Sequence, residues 1–268
     1  MQIIYSSQSD TIKAYLKKIY EHRSLIFIFA KRDLKIKFAQ TALGMAWALV
    51  QPLTAVVVFT LFFSFLVHFK TEYPYVLFVV SGVLIWSIFN YIFSQASTSL
   101  FQNQDVIKKM NFPKIILPLS KIILALVEFS ITFFLLLVLL FFFNIQFKWN
   151  MLLLPILILP VVFFSFGLSL LLSSIALKNR DLFHVVPFLV NFGIWFTPVF
   201  YPVSLLPTEY KNYIYINPIA VSIHLFRWAF FGENFNPFVV YGIILSGIVL
   251  LIGFYFFKKS EDKIIDLI

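Results

Sequence analysis

Side chains able to carry reaction chemistry are few in this chain and stand far apart. The four histidines, His22, His68, His184 and His224, show no metal-ligand spacing, so no metal site is expected. No Gly-x-Ser-x-Gly or His-Glu-x-x-His pattern occurs. None of the eight glycines precedes a lysine, so no Walker A loop is present and ATP hydrolysis by that route is excluded. Cysteine is absent, which removes disulfides, thiolate nucleophiles and cysteine-based metal sites together. Asp33, Asp105 and Asp181 each stand alone, whereas acid–base or metal chemistry needs clustered carboxylates or histidines. The residues therefore point to no catalytic group and no cofactor.

Two kinds of side chain remain to be explained. Glu128 is the single acid inside a long apolar run, and an ionisable group there is costly and faces a cavity or a partner. It is either a polar contact in a pathway or subunit joint, or a protonated carboxyl bonded to a neighbouring helix. A proton relay needs several such groups, so one glutamate argues against a proton-driven carrier. Aromatics make up 20% of the chain, with 36 Phe, most of which must face lipid or other helices. Trp47, Trp86, Trp149 and Trp195 suit interfacial belts. Aromatic faces also stack on sugar rings, and Trp195-Phe196, Phe200-Tyr201 and the tyrosines that follow are the best candidate for such a surface.

The elements that must position these residues are apolar and long. Hydrophobic residues make up 61% and charged residues 12%, a membrane composition. Six runs, Leu43–Val67, Tyr75–Leu100, Ile122–Phe143, Met151–Leu177, Leu182–Val199 and Phe238–Phe257, are each long enough to cross a hydrocarbon core of roughly 30 Å. Of the 21 Lys and Arg, all but Lys70, Lys148, Lys211 and Arg227 fall on one side of these runs, which puts both termini in the cytoplasm. The net charge of +9 is thus a topology signal that can also attract anionic lipid, and with no compact basic module it does not point to nucleic acid. The N-terminus lacks the pattern of a signal peptide, and the first crossing serves as the uncleaved targeting signal.

The expected fold is all-α and integral to the membrane, a single domain over 1–268 with six transmembrane helices. Three segments lie outside the crossings. In the cytoplasmic region 1–42, Ile12, Leu16, Ile19, Ile26, Ala30 and Leu34 recur at helical spacing between charges, which predicts amphipathic helices along the interface, the second capped by Ser24. The loop 101–118 is polar, then basic, then broken by Pro113 and Pro118. Asp105 suits the start of a short helix there and Lys108 and Lys109 its end. The external segment 201–237 carries four prolines and an apolar stretch, Ile219–Phe231, too short to cross, which reads as a re-entrant or short-helix cap whose backbone needs protein or water around it. Pro52, Pro155, Pro160 and Pro187 predict kinks or frayed ends.

Four ordered stretches resemble the permease subunit of ABC-2 type polysaccharide exporters, the O-antigen and lipopolysaccharide family. They are Lys31-Arg32-Asp33-Leu34-Lys35 with Leu43-Gly44, Trp47-Ala48 and Gln51-Pro52; Ile107-Lys108-Lys109 with Phe112-Pro113-Lys114 and Leu117-Pro118-Leu119; Arg180-Asp181-Leu182 with Pro187; and Trp195-Phe196-Thr197-Pro198-Val199-Phe200-Tyr201-Pro202 with Asn217-Pro218. Lys37-Phe38 departs from an Arg-Tyr pair common in the family. The resemblance implies a homodimer in the bacterial cytoplasmic (inner) membrane, with two copies of a separate ABC ATPase that binds ATP and Mg. The implied cargo is a polysaccharide on undecaprenyl diphosphate. Gln102, Asn103, Asp105, Lys108, Lys109 and Phe112 match the segment that couples to the ATPase. Lys31, Arg32, Asp33, Lys35 and Lys37 match the amphipathic helix at the inner gate, where the cations would meet the lipid headgroup. Trp47, Trp86, Trp195, Phe196 and Tyr201 are the expected pathway aromatics, and Tyr210, Tyr213, Tyr215 and Arg227 the external gate. Two alternatives stay open: an ABC-2 permease for another cargo, such as teichoic acid, capsule or a drug, and a membrane enzyme acting on lipid-linked substrates.

Overall fold

A computed structural model of the chain describes residues 11–39, 44–63, 71–176 and 180–261. Eleven α-helices occur among these residues: α1 Ile12–Glu21, α2 Arg23–Phe38, α3 Trp47–Leu61, α4 Tyr75–Gln102, α5 Gln104–Lys109, α6 Ile116–Phe142, α7 Leu154–Leu157, α8 Leu159–Ala176, α9 Val185–Gly193, α10 Pro218–Phe231 and α11 Val239–Glu261. No strand occurs among them, and the protein is an all-α integral membrane protein. The ends of the first expected crossing, 43 and 64–67, and the basic residues Lys70, Lys178 and Lys263 lie outside the described residues.

Among the described residues, four helical stretches are long and apolar enough to cross a membrane: Tyr75–Gln102, Ile116–Phe142, Trp149–Ala176 and Val239–Glu261. The third is not one smooth helix. A 3-10 turn over Trp149–Leu153 leads into α7, and α8 restarts at Leu159 with Pro160 in its first turn, where a missing N–H costs nothing. The expected crossing Leu182–Val199 is also no single α-helix. A 3-10 turn at Arg180–His184, α9 and a second 3-10 turn at Ile194–Phe196 follow one another, and at about 2 Å rise per 3-10 residue such a mixed rod reaches further than an α-helix of equal length. Among the described residues, α3 is another short apolar helix, with Pro52 inside it.

α4 is the central column. Most positions from Tyr75 to Phe93 are buried, and it packs against α3, α6, α8 and α10. Its serines solve the problem of polar groups in a dry interior locally: Ser81, Ser97 and Ser99 donate to carbonyls one turn back. From α8, Ser173 reaches across to the Ser97 carbonyl at 2.9 Å. α8 and α11 form the most extensive helix pair, made possible by glycine: a Cβ at Gly167 would lie 2.6 Å from the Val249 carbonyl oxygen, and one at Gly253 would strike the Gly167 backbone.

The expected short external helix is α10, preceded by 3-10 turns at Val203–Leu205 and Tyr213–Ile216. It is enclosed by α4, α8 and α11, so protein surrounds its backbone. Pro218 occupies its first turn, the Asn217 side chain caps it by accepting from Ile219 N–H at 2.9 Å, and Gly232 closes it in the left-handed conformation. At the other end of the chain the capping differs from expectation. α2 begins at Arg23, so Ser24 is already helical, and its first turn has no side-chain cap; Thr11 instead caps α1.

Candidate functional site

Two sites stand out, one at each end of the bundle. The first joins α2, α5 and α6. Asp33 sits at its centre: its Oδ1 accepts two bonds from the Arg32 guanidinium, at 2.8 and 2.7 Å, and its Oδ2 accepts one from Lys121 Nζ at 2.6 Å. Arg32 also donates to the side-chain oxygen of Asn103 at 2.6 Å, and Asn103 donates onward to the Ser99 carbonyl. Lys121 and Asn103 are buried, and such groups are tolerated only when paired and hydrogen-bonded. Further along the same pair of helices, Lys37 forms an ion pair with Glu128 and lies 4.7 Å from the Tyr91 ring. Glu128 is therefore partnered by a cation from α2.

This arrangement brings two groups of expected residues into one assembly. Asn103 from the loop 101–118 touches Arg32 from the amphipathic helix, and Phe112 packs its ring 5.6 Å from that of Phe29. α5 runs over Gln104–Lys109, with Asp105 in its first turn and Lys108 and Lys109 in its last, where each charge suits the helix dipole. Ile107 anchors it, while Asp105, Lys108 and Lys109 are exposed. Gln102 ends α4 and bonds Thr98. Lys31 and Lys35 face outward on α2, apart from the network. The result is a small, charged, six-residue helix held at its base and free on its outer face.

The second site is built around Arg227 on α10, which is only 2% exposed. Its guanidinium lies flat over the Phe78 ring, 3.4 Å from the centroid, and donates to Ser81 Oγ, and to the carbonyls of Pro198, Phe78 and Val199 at 2.9 to 3.1 Å. The Thr197–Pro202 segment is fastened at further points. Asn217 donates to Thr197 Oγ1 at 3.0 Å and Tyr75 Oη to the Phe200 carbonyl at 2.5 Å. A Cβ at Gly82 would lie 2.6 Å from the Val199 carbonyl oxygen, so only glycine lets this strap lie flush on α4.

Beside Arg227 opens a cavity of about 230 Å³ lined in part by Glu72, Tyr73, Tyr215, His224 and Glu233. Tyr73 donates to Glu233 at 2.7 Å, and the other carboxylate oxygen lies 3.7 Å from His224 Nδ1. Burial alone would raise the Glu233 pKa, but the bonds from His224 and Tyr73 and the charge of Arg227 outweigh it and hold the carboxyl below the usual range. Burial pushes the Tyr73 phenol well up. Of the expected gate residues, Arg227 and Tyr215 lie inside this network, whereas Tyr210 and Tyr213 are exposed beyond it.

The aromatics divide. Trp86 is buried against Phe89 and Gly193, inside the chain's own core. Tyr201 is half-buried at the end of the strap. Trp47, Trp195 and Phe196 are exposed, Phe196 at 76%. Trp195 meets Phe59 and Phe200 at 6.1 Å each, and Phe188 and Phe192 extend the exposed row down α9. The helical spacing of Phe188, Phe192 and Trp195 was the available signal for this row.

Comparison with known proteins agrees with the architecture. The family model for the ABC-2 type transporter matches residues 24–231. An O-antigen export system permease protein RfbA of Klebsiella pneumoniae is 26% identical over 253 residues, covering 91% of this chain and 95% of that protein. The protein of the same name from Myxococcus xanthus is 28% identical, covering 83% and 85%. The polysialic acid transport protein KpsM of Escherichia coli is 19% identical, covering 87% and 92%.

Proposed function

This chain belongs to the ABC-2 type transporter family, and we propose that within it the chain is the permease subunit of an exporter of lipid-linked polysaccharide. The observation that carries the cargo is the likeness to O-antigen export permeases along nearly the whole of both chains. The carrier lipid is an undecaprenyl diphosphate, the membrane is the bacterial cytoplasmic membrane, and both termini lie in the cytoplasm. Two copies of the chain enclose the pathway and two ATPase subunits bind beneath them. The four long helices, α3 and the mixed rod through α9 supply six crossings.

A hydrated glycan with a diphosphate cannot cross hydrocarbon unaided, so export needs a lined route and an energy source. The exposed face of α5 is the contact for the ATPase. Closure of the nucleotide-bound partner pushes α5, and the network Asn103–Arg32–Asp33–Lys121 carries the push into α2 and α6 as one body. Lys31 and Lys35, exposed beside this network, attract the diphosphate at the inner leaflet. The row Phe188, Phe192, Trp195 and Phe196 gives sugars a surface that holds by stacking, without the fixed hydrogen bonds that would stop movement. The strap over Thr197–Pro202, locked by Arg227, forms the outer gate.

A second reading rests on KpsM, whose name points to polysialic acid: the same machinery with a different glycan. The test is purification of the chain alone and with the ABC ATPase encoded beside its gene. The proposal expects no ATP hydrolysis by the chain alone and a stable, hydrolysing complex with the ATPase. Failure of any ATPase to copurify would overturn it.

A further inference from the structure

The first amides of α6 are met close by: Ile116 N–H donates to the Pro113 carbonyl at 3.1 Å, Leu117 N–H to the Lys114 carbonyl at 3.1 Å, and Pro118 has none. The helix starts Ile-Leu-Pro-Leu, with no acid in its first turn and no side-chain cap from its own neighbourhood. The Lys114 amide, just ahead of this turn, is met instead from the far end of the chain. Glu261, the last residue of α11, accepts the backbone N–H of Lys114 just ahead of α6 through Oε1, while its Oε2 accepts the hydroxyl of Tyr15 from α1. A carboxylate here meets both the free amide and the positive end of the helix dipole.

We infer that the two ends of the chain form a clamp on the joint between α5 and α6, with Glu261 as its positioning residue. Tyr15 is only 5% exposed; Phe254 meets its ring edge-on at 5.9 Å, and Lys258 Nζ lies 5.7 Å from its centroid. The joint is equally constrained from inside. Lys114 is 3% exposed, its Nζ donates to the Met110 carbonyl at 3.2 Å and lies 4.6 Å from the Phe112 ring, and Pro113 offers no amide of its own. Burial pushes the Lys114 ammonium below the ordinary lysine range, and Glu261 opposes that shift. α1 and α11 both lie outside the 24–231 stretch that matches the family, so the clamp is built from parts the family pattern does not cover. Its geometry gives the terminal helices control over the angle between α5 and α6. The consequence for transport rests on the reading of α5 as the ATPase contact: the clamp sets how much of a push on α5 reaches α6.

The absence of cysteine makes the clamp directly measurable. Spin labels at Lys13→Cys on α1 and Met110→Cys after α5 report the distance across it by pulsed electron resonance on the purified full chain. The clamp predicts a narrow distribution that broadens in Glu261→Ala and in Tyr15→Phe and narrows again in Glu261→Gln, whose carbonyl still accepts from Lys114. In the complex with its ATPase, Glu261→Ala is expected to keep normal abundance and ATP hydrolysis while glycan exported per ATP falls roughly fivefold, the scale of losing one helix cap. An unchanged distance distribution in Glu261→Ala overturns the clamp. Broadened distances with normal export per ATP, or hydrolysis and export falling together with abundance, overturn its role in coupling. Absence of any ATPase partner would sink the functional reading instead, and the distances, measured on the chain alone, would still decide the clamp.

Discussion

The two ends of the bundle, inner at α5 and outer at α10 under the proposed function, hold their charges in opposite ways. At the inner end, Lys37–Glu128 and Asp33–Lys121 pair side chain to side chain between α2 and α6, Arg32 joins Asp33 from the same helix, and several of these groups keep partial access to solvent. At the outer end one guanidinium is buried and bonded mainly to backbone carbonyls, above a glycine that lets the strap touch α4. Side-chain pairs can break and re-form as helices slide. A cation wrapped in backbone carbonyls can release only if the strap itself leaves. Under the proposed function, the difference suits an inner end that receives a push and an outer end that stays shut until the push is large.

The comparison is broken most severely at Arg227. Arg227→Met removes the shared donor of four acceptors in a buried site and is expected to cost about 4 kcal/mol, seen as a large fall in thermal unfolding temperature of the detergent-purified chain. A drop no larger than that of a surface substitution would contradict the lock. Next comes Gly82→Ala, whose Cβ would collide with the Val199 carbonyl. A cost of about 2 kcal/mol is expected, and because the clash is with backbone, no neighbouring side chain can relieve it. At the inner end, a double-mutant cycle of Lys37→Met and Glu128→Gln should give a coupling of only about 1 kcal/mol, since the pair is part-exposed. A coupling as large as the Arg227 effect would erase the contrast.

The smallest effect is a pH dependence at the outer cavity. The Glu233 carboxyl titrates below its ordinary 4.5 in the folded chain, so its contribution is fully present above that value and is lost only as pH falls through the lowered one. Unfolding temperature compared between wild type and Glu233→Gln should therefore show a gap at neutral pH that closes only below about pH 4.5. A gap that closed well above pH 4.5 would contradict this assignment to Glu233.

Much of the scaffold can be read directly from residue pattern. The apolar runs, the short helix bracketed by Asp105 and Lys108-Lys109, and an apolar segment too short to cross all correspond to elements among α3 to α11. What pattern could not reveal depends on partners distant along the chain. Arg227 looks like an external surface charge in His-Leu-Phe-Arg-Trp-Ala-Phe-Phe, because its acceptors come from α4 and from the Thr197–Pro202 strap. Glu128 was ambiguous for the same reason, with Lys37 lying on another helix. Trp86 shares its type with Trp195 but sits on the central column, where every direction is protein. The run Leu182–Val199 was long enough by count, yet helix type is set by tertiary packing, and it breaks into three pieces.

The most direct measurement is surface glycan in cells lacking this gene, complemented at equal abundance by the wild-type chain or by Lys108→Glu/Lys109→Glu. Both lysines lie on the exposed face of α5, away from the core. The account predicts that wild type restores the glycan and the double variant does not. Normal export by the double variant would contradict transmission through α5, and surface glycan unchanged by deletion of the gene would contradict polysaccharide export itself.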